Sequence, residues 1–137
     1  MELDPNADIF YAYLGLAYVQ KGMYAEGVRS LKKALDISGD LPEYSAELAY
    51  ACAVEGNSTE ARRILAQLES RSRRQYVSSY NLAWVCAGLG QKEAALARLE
   101  KGYKERADKV PLLGVDPVFD SLRSDPRFQE LLRRIGL

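Results

Sequence analysis

The sequence of 137 residues contains no histidine and only two cysteines. The absence of histidine removes the commonest general base and the commonest metal ligand of proteins. Cys52 and Cys86 are too few for a structural zinc site of four ligands. A glycine-rich phosphate loop and a Gly-x-Ser-x-Gly motif are also missing. We therefore predict a protein that is not an enzyme and binds no cofactor or metal.

The sequence also lacks an excess of either charge and any long apolar run. Lysine plus arginine number 19, as do aspartate plus glutamate, so no overall field attracts nucleic acid. No stretch approaches the ~20 apolar residues of a membrane span, and the N-terminus lacks the apolar core of a signal peptide. The short basic run at residues 71–74 is predicted to be a solvated turn. These absences predict a cytoplasmic protein without a membrane or nucleic-acid partner.

A single repeat period organises most of the chain. Gly22, Gly56 and Gly90 are equally spaced, and leucines and small residues keep constant offsets around them. Apolar residues recur at helical spacing before each glycine, which can end a helix in the left-handed conformation. The pattern predicts three helical hairpins, with helices at 8–21 and 24–37, 42–55 and 58–71, and 76–88 and 92–106. Cys52 and Cys86 stand at equivalent positions, which predicts core residues rather than a disulfide.

The residues of the first period match a known repeat pattern: Tyr11, Leu14, Gly15, Tyr18, Leu31 and Ala34, with Gly27 where alanine is usual. This pattern, with its period of about 34 residues, resembles the tetratricopeptide repeat. The resemblance implies an all-α fold, an α-solenoid of three such hairpins followed by C-terminal capping helices. The expected divisions are a remnant of a preceding repeat at 1–7, repeats at 8–41, 42–75 and 76–109, and capping helices at 110–137.

Pro5 supports the expected remnant, because it stands where the late proline of a preceding repeat would fall. We therefore expect the chain to be cut from a longer array or to start with a remnant of a repeat. The helix at 8–21 would then have lost a neighbour on the face that carries some of Ile9, Phe10, Tyr11 and Tyr13. An uncovered apolar face of this kind predicts self-association.

The pattern Asp-Pro-x-Phe occurs twice near the C-terminus, at residues 116–119 and 125–128. Aspartate accepts hydrogen bonds from free N–H groups at a helix start, and proline is favoured at the first helical position. The pattern predicts helices from Pro117 to about Arg123 and from Pro126 to about Ile135. Their apolar residues would cover the last hairpin, and their arginines would face solvent. We interpret this tail mainly as a capping element that covers the last hairpin.

The C-terminal part of the chain, with matching residues from Tyr80 to Leu132, is similar to the ending of many bacterial multidomain signalling proteins. In those proteins a tetratricopeptide array follows a winged-helix, nucleotide cyclase or Ser/Thr kinase domain. The similarity implies an alternative role as a regulatory C-terminal module that acts by intramolecular contacts.

The tetratricopeptide resemblance also implies a concave surface, lined by the first helix of each pair, that binds a peptide or helix of a partner protein. The candidate binding residues are Leu16, Gln20, Tyr50, Val54, Val77, Tyr80, Asn81 and Trp84. Aromatic residues are enriched at binding hot spots, although Tyr50, Tyr80 and Trp84 could instead pack in the core. The basic residues of a carboxylate-binding version of the fold are absent, which favours an apolar or aromatic ligand. The predicted function is a non-catalytic scaffold.

Overall fold

The computed structural model describes residues 6–105 and 117–136, and these residues form helices without any strand. Six helices precede the tail: α1 (Ala7–Gln20), α2 (Tyr24–Ser38), α3 (Pro42–Glu55), α4 (Ser58–Arg71), α5 (Ser79–Gly88) and α6 (Lys92–Glu105). A 3-10 helix (Pro117–Leu122) and α7 (Pro126–Arg134) follow. The prediction of an all-α solenoid is confirmed. Pro5, on which the expected remnant depends, lies outside the described residues.

Each hairpin turns at a glycine in the left-handed conformation. The φ angles of Gly22, Gly56 and Gly90 are 78°, 103° and 75°, a region that side chains with a Cβ rarely adopt. The second helices α2, α4 and α6 each begin two residues after their glycine, at Tyr24, Ser58 and Lys92. The glycine period in the sequence is therefore the period of the helix pairs.

Small residues bring the two helices of each pair close together. A Cβ built on Gly15 would lie 3.0 Å from the backbone oxygen of Gly27, and one on Gly27 would lie 2.9 Å from that of Gly15. The equivalent pairs are Ala49 with Ala61 and Ala83 with Ala95, and all four alanines are fully buried. The first pair of helices approaches so closely that glycine is needed on both sides.

Stacking of the pairs produces two apolar clusters. The first is built mainly from α1 to α4, and the second mainly from α5, α6 and the tail. Tyr50 on α3 packs against both clusters. The stack is therefore continuous from the first pair to the C-terminal tail.

The tail covers the end of the stack, as the Asp-Pro pattern predicts. The side chain of Asp125 accepts a hydrogen bond from the backbone N–H of Arg127 at 2.8 Å and so caps α7. Phe119 and Phe128 have no exposed surface, and their rings lie 6.4 Å apart. The first element is a 3-10 helix rather than an α-helix, and Asp116 lies outside the described residues.

Helix α7 begins one repeat period after α6, but it buries a different face from the one that α6 buries. Pro126 stands one repeat period after Lys92, the first residue of α6. The buried residues Phe128 and Leu131, however, correspond to Ala94 and Ala97 of α6, which are half-buried and exposed. The tail is therefore a cap that keeps the repeat spacing without repeating its packing.

Arginines hold the outer side of α7 to α6. The guanidinium of Arg127 donates to both carboxylate oxygens of Glu93, and that of Arg134 donates to both oxygens of Glu100 at 2.8 Å. Asp125 also accepts from Arg127 and pairs with Lys92. Paired arginine–carboxylate contacts fix geometry as well as adding energy, so they set how the cap sits on the last hairpin.

Candidate peptide-binding surface

The first helices α1, α3 and α5 carry equivalent side chains at intervals of one repeat period. Leu16, Tyr50 and Trp84 form one such set, and Gln20, Val54 and Gly88 form the next. Residues four apart on a helix lie on the same side, so these two sets form adjacent rows. We call this area the first-helix surface.

An aromatic pair marks the middle of the first-helix surface. The ring centroids of Tyr50 on α3 and Trp84 on α5 lie 5.4 Å apart with an angle of 59° between the ring planes. Both residues are half-buried, so part of each remains exposed. Tilted aromatic pairs at this separation attract each other, and each ring helps to hold the other in place.

Gly88 allows α3 and α5 to approach beside this pair. A Cβ on Gly88 would lie 2.8 Å from Cδ2 of Tyr50 and 3.2 Å from the Cβ of Ala53. Because the first contact is shorter than real side chains allow, any larger residue would displace the tyrosine ring. The position of the Tyr50 ring therefore depends on a glycine one helix away.

The structure places the eight predicted binding residues at different depths. Gln20 is exposed, whereas Leu16, Tyr50, Val54 and Trp84 are half-buried. Val77, Tyr80 and Asn81 lie in the packed interior, with 8%, 1% and 9% of their surface exposed. The accessible part of the predicted set therefore centres on Tyr50 and Trp84.

Tyr80 contributes to the cap rather than to the surface. Its ring lies 5.5 Å from that of Phe119 in an edge-to-face arrangement. Sequence periodicity places Tyr80 one turn before Trp84 but contains no signal for the later contact with the tail. Tyr80 is therefore a core residue of the second cluster. Trp84 is partly buried and packs against the edge of that cluster.

Charge is divided unequally between the first and the second helices of the pairs. The first helices α1, α3 and α5 contain no lysine or arginine, and their charged residues are Asp8, Glu43, Glu47 and Glu55. Every lysine and arginine of the six hairpin helices lies on α2, α4 or α6. The equal totals of positive and negative residues conceal this division, which appears once the helices are sorted by layer.

A hydrogen bond between side chains joins α1 to α3. The hydroxyl of Tyr44 donates to the carboxylate of Asp8 at 3.4 Å. Burial, reinforced by the charges of Asp8 and Glu43, raises the pKa of Tyr44 to about 12. Tyr44 therefore stays neutral across the ordinary pH range and serves as a hydrogen-bond donor.

The thiols and carboxylates show no arrangement for metal binding. No group of three or more cysteine and acidic residues in the described part of the chain could hold a metal ion. Cys52 and Cys86 are free and buried, as predicted for core residues, and burial raises the pKa of both thiols. The thiolate, which is the reactive form, is disfavoured at both positions.

Comparison with protein families finds a match over part of the chain. The tetratricopeptide repeat model matches residues 42–67 and 77–101, which span α3 with most of α4 and α5 with most of α6. These segments are tetratricopeptide repeats. Neither the curated proteins nor the solved structures include a match to the chain.

Tetratricopeptide repeats are in general protein–protein interaction modules and are typically non-catalytic. The first hairpin lies outside the two matched segments, yet it shares their helix spacing, turn glycine and close helix approach. Within residues 6–105 and 117–136, no helix is both long and apolar enough to cross a bilayer.

Proposed function

We propose that the first-helix surface binds a peptide or helix of a partner protein, with Tyr50 and Trp84 as its principal contacts. The observation that carries this proposal is the aromatic pair, which is half-exposed and held in place by its own packing. Large, pre-ordered aromatic side chains supply contact area at low entropic cost, which is typical of binding hot spots. Half-buried Leu16 and Val54 extend the apolar area on either side.

Peptides selected from a random display library on the immobilised chain provide the test. Trp84 is the only tryptophan, so its fluorescence reports directly on this surface. We expect selected peptides to shield Trp84 from acrylamide quenching. A double variant Tyr50→Ala/Trp84→Ala should lose binding, while Tyr76→Ala, which removes an exposed tyrosine outside the helices, should retain it.

A more conservative variant separates loss of binding from unfolding of the protein. Trp84→Phe keeps an aromatic ring and should weaken binding while the thermal unfolding midpoint stays close to the original. Unchanged quenching of Trp84 in the complexes, or unchanged affinity in Trp84→Phe and in the double variant, would contradict the proposal. Loss of stability in both variants would identify the two residues as core and contradict their role as contacts.

The alternative is a regulatory module of a larger bacterial signalling protein that acts by intramolecular contacts. The supporting observation is the face of α1 that carries Phe10 and Tyr13, which are 60% and 72% exposed. A preceding element of a longer chain would cover this face. Sequencing upstream of the codon for Glu2 tests the idea: an open frame into a cyclase, kinase or winged-helix domain supports it, and an in-frame stop codon contradicts it.

A further inference from the structure

We propose that Gly88 is a positioning residue of the first-helix surface: the space left by its missing side chain holds the ring of Tyr50 in the pose that meets the partner segment. This inference rests on the proposed function and adds a residue that acts through Tyr50. It follows from the backbone conformation of Gly88 and from the contacts that a side chain at this position would make.

The backbone at position 88 does not itself require glycine. Gly88 is the last residue of α5, and its φ angle lies outside the left-handed region, unlike the φ of 75° at Gly90. An alanine adopts such a conformation without strain, and alanine forms helices more readily than glycine. The reason for a glycine at this position therefore lies in the space around it.

Side chains of α3 fill the space beside Gly88. A Cβ at this position would lie 2.8 Å from Cδ2 and 3.4 Å from Cε2 of Tyr50, as well as 3.2 Å from the Cβ of Ala53. Cδ2 and Cε2 are neighbouring atoms on one edge of the ring, so this edge lies where a side chain at position 88 would otherwise be. An added methyl group would have to displace the ring, because carbon atoms at 2.8 Å repel each other strongly.

Displacement of the ring would change the aromatic pair, because Tyr50 contacts two successive turns of α5. Its ring pairs with Trp84 at 5.4 Å between centroids, and its edge lies against Gly88 one turn later. Side chains on a helix lean toward its N-terminus, so a side chain at position 88 would also point toward Trp84. Both half-exposed rings therefore depend on the absence of a side chain at position 88.

The preceding repeat differs at both of these positions together. Leu16 on α1 is the equivalent of Tyr50, and Val54 on α3 is the equivalent of Gly88. A smaller residue at the first position thus goes with a larger residue at the second position, on the following helix. The combination of tyrosine and glycine gives an aromatic ring room against the next helix, which is where the aromatic pair lies.

The first test uses the free protein. Gly88→Ala should increase acrylamide quenching of Trp84 and lower the thermal unfolding midpoint, whereas helix propensity alone predicts no loss of stability. In the Tyr50→Ala background the same change should not lower the midpoint, because the ring that it displaces is gone. If Gly88→Ala alone does not fold, recovery of folding in Gly88→Ala/Tyr50→Ala supports the proposal, and failure to recover overturns it.

The second test uses the peptides selected above for dependence on Trp84. Gly88→Ala should weaken them roughly tenfold, as expected when a hot-spot side chain is misplaced. In the Tyr50→Ala background the same change should alter affinity less than about twofold. Ala25→Ser is the control, because it also adds a single atom, at an exposed position of α2, and it should leave affinity and quenching unchanged.

Failure of this inference is distinct from failure of the proposed function. Unchanged quenching and an unchanged midpoint in Gly88→Ala would overturn the positioning role and leave the surface in place. Equal weakening of the peptides with and without the Tyr50 ring would also overturn it, since Gly88 would then not act through Tyr50. Absence of any Trp84-dependent peptide would overturn the proposed function and, with it, the role of Gly88 in binding.

Discussion

Aromatic side chains are buried at one end of this stack and exposed at the other. At the C-terminal end Phe119 and Phe128 are completely buried, whereas at the N-terminal end Phe10 and Tyr13 are 60% and 72% exposed. The C-terminal end face is covered by the cap, which repeats the spacing of the hairpins with a different packing face. In a stack of repeats the end faces are built like interior faces, so the difference lies in what covers them.

The equivalent positions of the next repeat show how buried Phe10 and Tyr13 would be if another hairpin packed on them. Tyr44 and Glu47 on α3 stand one repeat period after Phe10 and Tyr13, and they are only 8% and 7% exposed. The same helix positions are thus buried inside the stack and exposed at its start. This comparison predicts that equal mutations at the two ends have unequal effects.

The largest expected effect is at the covered end. Phe128→Ala should lower the free energy of unfolding by about 3–5 kcal/mol, because it removes a fully buried ring and leaves a cavity. Phe10→Ala makes the same chemical change on the exposed end and should stay within about 0.5 kcal/mol of the original protein. Urea denaturation measured side by side checks both. Similar losses in the two variants would contradict the difference between the ends.

The contact between the first two hairpins should respond to alkali. Tyr44 ties α3 to Asp8 of α1, and burial raises the pKa of its hydroxyl to about 12 from the ordinary 10. A neutral tyrosine is therefore preferred in the folded state, so stability is complete below pH 10 and falls as the pH rises toward 12. Between pH 9 and 11 the loss should be about 1.4 kcal/mol.

Tyr44→Phe is the matched variant for this effect. It should flatten the alkaline part of a stability–pH curve measured by urea denaturation. An unchanged slope between pH 9 and 11 would show that Tyr44 does not carry the alkaline loss.

Low pH should lower the stability of the protein through the C-terminal cap. The pKa of Asp125 is strongly lowered by hydrogen bonds from the side chain and backbone of Arg127, with a further contribution from Lys92. A carboxyl with a lowered folded pKa stabilises above its unfolded pKa, near 4, and the stabilisation disappears as the pH falls. The pKa of Glu93 and of Glu100 is lowered in the same direction by Arg127 and Arg134.

Asp125→Asn separates this contribution from general acid unfolding. The variant should lose stability at pH 7 and show a shallower decline between pH 5 and 3 than the original protein. Glu26→Gln, on an exposed pair far along the chain from the cap, serves as the control and should keep the original slope. A parallel decline in the Asp125→Asn variant would remove the cap from the explanation of acid sensitivity.

The sequence predicted the repeated part of the fold well, because its determinants are local. Turn glycines, small residues at close approaches and the aspartate before Pro126 act within a few residues or one hairpin, and these lie where they were expected. The depth of the binding residues was harder to predict, since it depends on contacts far along the chain. Tyr80 packs against Phe119 of the tail, more than one repeat period later, and no periodicity within the repeats signals that contact.

The smallest expected effect concerns association through the exposed end. We expect this chain to form a weak dimer, with a dissociation constant of roughly tens of micromolar, because Phe10, Tyr13 and Ala17 form an exposed strip on α1 that is too small for a tight interface. Asp8 is the only charged residue of α1, so two such helices can meet without strong repulsion. An antiparallel arrangement would also oppose the helix dipoles favourably. The cap closes the opposite end, so pairing of like ends should stop at two copies.

Sedimentation over a wide concentration range measures this dimer. The mass should rise from 15.3 kDa toward twice that value, and Phe10→Asp/Tyr13→Asp should hold the chain at the lower mass. Tyr76→Asp, which places the same kind of charge on a tyrosine that is 61% exposed elsewhere, should leave association unchanged. A monomer at every concentration would mean that the exposed end does not bind a second copy. A dimer that survives the double variant would place the contact on another face, and the exposed aromatics of α1 would then need a different partner.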